Sequence, residues 1–322
     1  MSRISKRADA RRLSDADGAV SGPHPLSDDG LAGPADEPTG APRAGVPGSL
    51  EEAEPHLVDP EAGPVTGNSP PPPDNIVVEL RDVYKGFGPK KILKGVNLAV
   101  ERGTSAVVLG GSGTGKSVLT KHVVGLLQPD KGEVWVLGER LDLMTQEQLD
   151  AKRTRLGYLF QGGALFDSMT VFENMRFFLD RLTTLRKDEK DDLIMESLED
   201  VNLPQTRDQY PAELSGGQKK RIGLARTLIL RPDIILYDEP TTGLDPVSVR
   251  VVSELIVKLR DTRGISSIAI THDLLAAEII TDKAHFLLDG EIVEAGTLAE
   301  VRQSNHPALQ EFFEGTDAYG HA

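Results

Sequence analysis

An unbroken match to G-x-x-x-x-G-K-[ST] at Gly110-Gly111-Ser112-Gly113-Thr114-Gly115-Lys116-Ser117 constrains this chain more than any other feature in it. The apolar run 106–109 leads into the motif and a helical pattern from about 115 to 126 follows it, so a buried strand is expected to enter a glycine turn that opens a helix. Glycines let successive backbone amides turn toward one anion, and the positive end of the helix dipole adds to them. The spacing predicts phosphates cradled by residues 110–117 and Val118, Lys116 reaching the terminal phosphates, and the Ser117 hydroxyl on magnesium. A chance glycine turn is the competing reading, and the flanking strand and helix argue against it.

Two further strand ends carry polar groups. The apolar run Ile234-Ile235-Leu236-Tyr237 stops at Asp238 and Glu239. Asp238 is expected to hold magnesium directly or through a water, and Glu239 to polarise the attacking water. The plainer alternative is that the pair caps the helix expected at 246–262 or faces solvent. His272 follows Ile268-Ala269-Ile270-Thr271 and so also projects from a strand end, where it suits contact with a γ-phosphate better than a purely structural role. The other six histidines show no metal-ligand spacing.

The remaining pattern predicts an α/β fold. Residues 76–83 and 92–100 alternate as strands do, with a turn over 86–91. Residues 140–212 turn charged and helix-favouring, in stretches 146–155, 171–182 and 187–201, apart from a short strand-like run at 156–160; a mainly helical insertion is expected there. From Ser215 the pattern alternates again: helix 215–230, strand 234–237, helix 246–262, strand 265–271 and a hairpin around Asp289-Gly290. Strands alternating with helices argue for a largely parallel sheet covered on both faces, with the antiparallel start beside it.

Composition separates a tail from this fold. Residues 1–75 contain 13 of the 21 prolines and carry 6 Lys/Arg against 13 Asp/Glu, with few apolar residues, so a disordered segment is expected. The rest has 30 Lys/Arg against 37 Asp/Glu, and neither part has the charge of a nucleic-acid binder. Arg3, Lys6, Arg7, Arg11 and Arg12 suggest a targeting peptide, but Asp9 and the lack of a following apolar stretch favour a solvated tail. No run of 18 apolar residues occurs, and no cysteine, so neither a membrane span nor disulfide chemistry is expected.

Leu214-Ser215-Gly216-Gly217-Gln218, about twenty residues before the Asp238 strand, narrows the class. With it, the chain over 76–303 resembles the ABC-type nucleotide-binding domain: a P-loop fold with a mixed, largely parallel core sheet, an antiparallel β subdomain and a helical subdomain at about 140–230. The resemblance implies that Phe87 stacks on adenine, that Gln161 is the Q-loop residue on magnesium, that 110–117 and 238–239 are the Walker A and B motifs, that Gly243-Leu244-Asp245 is the D-loop, and that His272 is the switch histidine. It also implies ATP and Mg2+ as cofactors and a homodimer in which Ser215, Gly216, Gly217 and Gln218 of one copy close the Walker A site of the other. Physically, a helix opening at Ser215 and Gly217 would aim positive charge at the γ-phosphate, where the reaction's charge lies.

The run Leu159-Phe160-Gln161-Gly162-Gly163-Ala164-Leu165-Phe166-Asp167-Ser168-Met169-Thr170-Val171-Phe172-Glu173-Asn174 resembles the Q-loop of ATPases serving MCE-type lipid transporters, the Mla system and its relatives; Gln218 departs from the Met common at that place. This implies an integral membrane permease and an MCE-domain substrate-binding protein as partners, and a cytoplasmic site, peripheral on the inner face of the cell membrane. An importer or exporter of another small solute is the alternative, and a soluble ABC ATPase acting on ribosomes or DNA is a third reading that the acidic charge disfavours. Phe166, Met169, Phe172 and Met175 suit either a helical core or a docking surface for the permease. Phe312 and Phe313, in a C-terminal extension from 304, are expected to pack on the chain's own surface or on a second subunit.

Overall fold

The computed structural model of the chain describes residues 69–320, the last five in backbone only. The expectations for residues 1–68 lie outside the described residues.

The antiparallel start consists of β1 (Ile76–Phe87), β2 (Lys90–Glu101), β4 (Lys131–Val136) and β5 (Glu139–Arg140), in the order β2-β1-β4-β5. Pairing runs on to Phe87↔Lys90, beyond the ends that alternation predicts. Bulges between Leu80 and Val83 and between Lys85 and Gly86 break the period of two, which makes the strands read short.

The core sheet contains β3 (Ser105–Leu109), β6 (Leu156–Leu159), β7 (Ile234–Asp238), β8 (Ser266–Ile270), β9 (Lys283–Leu288) and β10 (Glu291–Gly296). Their order is β10-β9-β3-β8-β7-β6, parallel from β9 to β6 with β10 antiparallel at the edge. The strand expected at 156–160 thus belongs to the core sheet and divides the 140–212 stretch, with a helix at 146–153 before it and helices at 171–182 and 187–200 after it. The local sequence there shows only a short run, too short to reveal its partner β7.

Both faces of the core sheet are buried, and alternate residues sort between them. Ala106, Val108, Leu236 and Ile268 pack with Leu119 and Val123 of α1 (Lys116–Val123) and with the antiparallel sheet. Val107, Leu109, Ile235, Tyr237 and Ala269 face the opposite way. They meet α3 (Val171–Leu182), α4 (Lys187–Asp200), α5 (Gly216–Leu228), α6 (Pro246–Arg263) and α7 (Leu274–Ile280). Helix α2 (Gln146–Arg153) buries Leu149 on the α1 side, and α8 (Leu298–Arg302) and α9 (Pro307–Gly320) complete the chain. Each wholly buried Leu or Ile contributes about 1.5–3 kcal/mol through the apolar area it removes from water. Leu309 and Phe313 of α9 join this core, and Phe312 lies edge-on to Phe286 at 5.2 Å between ring centroids.

Local sequence explains the helix ends that matter below. Ser215 caps α5 reciprocally with Gln218, and Asp245 caps α6 just before Pro246, accepting from the amides of Val247 and Ser248 at 3.1 and 3.0 Å.

Candidate nucleotide site

Strand order alone gathers the predicted groups. β3, β8, β7 and β6 are consecutive parallel neighbours, so the loops leaving their carboxyl ends lie side by side: the 110–115 glycine loop, His272, the Asp238-Glu239 pair and Gln161. This is the edge at which open α/β sheets take ligands.

The glycine loop fits its fold through backbone that only glycine tolerates. Gly110 has φ 148°, and a Cβ there would lie 2.3 Å from the Leu287 carbonyl oxygen. Gly115, at φ 110°, caps α1, and a Cβ there would lie 3.0 Å from Leu93 Cδ2. Lys116 folds over this loop, its Nζ donating to the carbonyls of Gly110 at 2.8 Å and Gly111 at 2.7 Å. Burial lowers the Lys116 pKa, and the carboxylates of Glu239 and Asp238 oppose that shift. Thr114 Oγ1 donates to the Gly111 carbonyl; Gly111, Ser112, Gly113 and Ser117 are exposed, and Val118 packs against the core.

Asp238 receives a hydrogen bond at Oδ2 from the Tyr158 hydroxyl at 3.1 Å, and that hydroxyl lies 3.3 Å from Thr120 Oγ1. Burial pushes the Tyr158 phenol up to about 12, so it remains a donor. Among the described residues nothing bonds to Oδ1 of Asp238. The residues expected to meet magnesium, Ser117, Gln161 and Asp238, offer only oxygen from their side chains' hydroxyl, amide carbonyl and carboxylate, the donor set a hard cation takes when phosphates and waters complete its shell.

Glu239 stands at φ 51°, left-handed backbone that a non-glycine residue adopts at a cost of about 1–3 kcal/mol. Its amide donates to the Ile270 carbonyl at 2.9 Å, its Oε2 accepts from Thr242 Oγ1 at 3.1 Å, and His272 Nδ1 lies 2.9 Å away. Thr242 and His272 therefore orient the carboxylate and Ile270 its backbone, while the imidazole stays open to solvent.

Phe87 ends β1 with an exposed ring, its neighbour Lys85 5.7 Å from the ring centroid. Ser215, Gly216 and Asp245 are exposed and Gly217 and Gln218 half-buried. Their neighbours are the start of α6: a Cβ on Gly216 would meet Leu244 at 3.4 Å, and one on Gly217 the Ser248 hydroxyl at 3.1 Å. Among the described residues no hydrogen bond or ion pair joins these signature residues to the glycine loop, so one copy of the chain presents the two motifs separately.

Sequence reasoning did not single out four side chains that organise this edge. Tyr158 and Thr242 hold the two carboxylates. Buried Asn174 accepts from the Phe166 amide at 2.7 Å and donates to the carbonyls of Phe166, Met169 and Thr170, which shapes the loop after Gln161. Lys220 donates to the carbonyls of Gln161 and Glu239. A lysine on the buried face of α5, one turn before Gly223 and Leu224, was the available signal. Of the four apolar side chains left between core and surface, Met175 is buried, Phe172 and Met169 are half-buried, and Phe166 is exposed beside Phe177.

Comparison with known proteins identifies the family and the fold. The family described as ABC transporter matches residues 93–242. The chain is 39% identical over 259 residues to Protein TRIGALACTOSYLDIACYLGLYCEROL 3, chloroplastic, of Arabidopsis thaliana, covering 75% of this chain and 74% of that protein. It is 35% identical over 239 residues to the intermembrane phospholipid transport system ATP-binding protein MlaF of Escherichia coli K12, covering 74% of this chain and 89% of that one. It is 37% identical over 243 residues to the probable ribonucleotide transport ATP-binding protein mkl of Mycobacterium tuberculosis, covering 76% and 68%. Among solved structures, the ATP-binding cassette MJ0796, a dimer in a post-hydrolysis state bound to ADP and Pi, superposes with a TM-score of 0.63 at 30% identity, covering 69% of this chain and 98% of that one.

Proposed function

The chain belongs to the ABC transporter family of ATP-binding subunits, which bind and hydrolyse ATP as transporter motors, and we propose that it powers movement of a phospholipid or similar lipid. ABC cassettes work as dimers on a membrane permease. No helix among the described residues is long and apolar enough to cross a membrane. In our reading a homodimer of this chain docks on the inner face of the membrane, on a permease that works with an MCE-domain protein.

The observation that carries the catalytic reading is the meeting of four strand ends around an oriented Glu239 carboxylate, 2.9 Å from His272. In this reading the 110–115 amides and Lys116 hold the β- and γ-phosphates, and Phe87 offers a face to adenine. Ser117, Asp238 and Gln161 would hold a magnesium ion, whose charge would neutralise that of the phosphate oxygens. Glu239 accepts the proton of the attacking water, while His272, held by Glu239, turns its outer edge to the γ-phosphate. Ser215, Gly216 and Gly217 of the second copy close the site, with the α5 amino end toward the developing charge, and Asp245 lies at the same interface.

The lipid reading is supported by the relatives named for phospholipid transport and by the run from Gln161 to Asn174. The mycobacterial relative is named for ribonucleotide transport, which favours a second cargo reading. Reconstitution of the complex in vesicles decides between them. ATP-dependent transfer of a fluorescent phospholipid is expected; transfer of a ribonucleotide with no lipid movement would establish the second.

A further inference from the structure

Lys220 is nine-tenths buried, a rare condition for an ammonium without a compensating partner. Its Nζ donates to the backbone carbonyl of Gln161, 59 residues away, and at 3.2 Å to that of Glu239, 19 residues away. Burial lowers its pKa, and the Glu239 and Asp238 carboxylates act in the opposite sense. Both acceptors are main-chain atoms of residues whose side chains belong to the nucleotide site.

The rest of α5 fastens the same loop. Arg226 donates to the carbonyls of Ala164 at 2.6 Å and Gly163 at 3.0 Å. Gly223 lets the helix approach so closely that a Cβ there would stand 3.0 Å from Leu159 Cδ1 and 3.2 Å from the Gly163 Cα. The loop over 160–164 therefore rides on α5. Lys220 extends that attachment across to the end of β7, where Glu239 occupies left-handed backbone. A cationic donor on the carbonyl of a strained residue fixes the following peptide, and with it the direction of the side chain.

We propose that Lys220 is a positioning residue for ATP hydrolysis, holding Glu239 in its reactive orientation only when α5 and the 160–164 loop are seated together. This rests on the ATPase reading given above. Helix α5 begins at the signature and the loop continues into the exposed Phe166 surface, so Lys220 is where both regions meet the attacking-water carboxylate. Packed elements shift between discrete arrangements, and a charged tether with two acceptors moves with them as a unit.

The test uses the full chain in its assembled transporter, comparing Lys220→Met, which keeps the stem and removes the donors, with Lys220→Arg, which restores them. For Lys220→Met the expected result is ATP affinity within about twofold of wild type and kcat lower by about tenfold or more, the scale of a misplaced catalytic group. Lys220→Arg should recover most of the lost kcat. A kcat within about twofold of wild type in Lys220→Met would overturn the proposal. So would equal losses in both variants together with a lower Tm, which would mark Lys220 as packing alone. Glu239→Gln measured beside them separates the two readings: wild-type turnover in that variant would place the failure in the assignment of Glu239 rather than in Lys220.

Discussion

His272 Nδ1 lies 2.9 Å from Oε1 of Glu239 and 2.9 Å from its Oε2, although the two residues are 33 positions apart. Adjacent parallel strands create the contact, because β7 and β8 end side by side with Asp238 opposite Ile270. The Glu239 side chain is 15% exposed and that of His272 61%. The carboxylate thus sits at the inner end of the pair and the imidazole at the outer, the order required if a phosphate arrives from solvent and the water is activated beneath it.

Among the described residues no hydrogen bond or ion pair joins the signature to the glycine loop of the same copy, an arrangement in keeping with composite sites. Mixing a Lys116→Ala chain with a Ser215→Arg chain should leave each mixed dimer with one intact site, and ATP turnover per mixed dimer should return to about half of wild type if sites act independently. Turnover assays on the mixture check this. Mixed dimers that assemble and stay as inactive as either parent would contradict it.

Phe166 is exposed at the end of the loop that begins at Gln161, its ring edge-on to Phe177 at 5.1 Å. Phe166→Asp places an unpaired charge at the proposed permease contact, where burial costs roughly 2 kcal/mol or more. ATP binding by the isolated subunit should be unchanged, while pull-down of the permease and lipid transfer should fall. Intact permease binding with intact transfer would rule out this contact surface.

His285 in β9 is buried, with no partner for either ring nitrogen among the described residues. Burial, aided by the charge of Lys283, lowers its pKa from 6.5 to about 4. The unfolded chain takes up this proton near pH 6.5 and the folded chain only near 4. Stability present above pH 6.5 is therefore lost as pH falls toward 4, by about 3 kcal/mol over that window. Thermal melts at pH 7.5 and 5 should show a steeper loss for wild type than for His285→Leu; equal slopes would show that His285 does not carry the acid sensitivity.

What the sequence revealed and what it hid follow from the reach of each signal. The glycine loop, the Asp238-Glu239 strand end and the Ser215 cap are contiguous, and local chemistry identifies them. The helices 171–182 and 246–263 carry caps written in the local sequence, Thr170 with Glu173 and Asp245 before Pro246, and 187–200 reads as helix from its charged, helix-favouring residues. Membership of β6 in the core sheet, and the contacts of Tyr158 with Asp238 and of Lys220 with Gln161, depend on partners 59 to 80 residues away. No period or spacing encodes such pairings. Asn174 was legible only as the last letter of a motif, because its four hydrogen bonds to the loop exist only once that loop has folded back on α3.

The central claim, that this chain hydrolyses ATP with Glu239 as the base, is tested most directly by steady-state turnover of the purified Glu239→Gln complex together with its nucleotide affinity. The amide keeps the shape of the side chain and cannot accept the proton, so ATP binding should persist while turnover falls by about a hundredfold or more. Turnover near that of wild type in a complex that binds ATP normally would contradict the account.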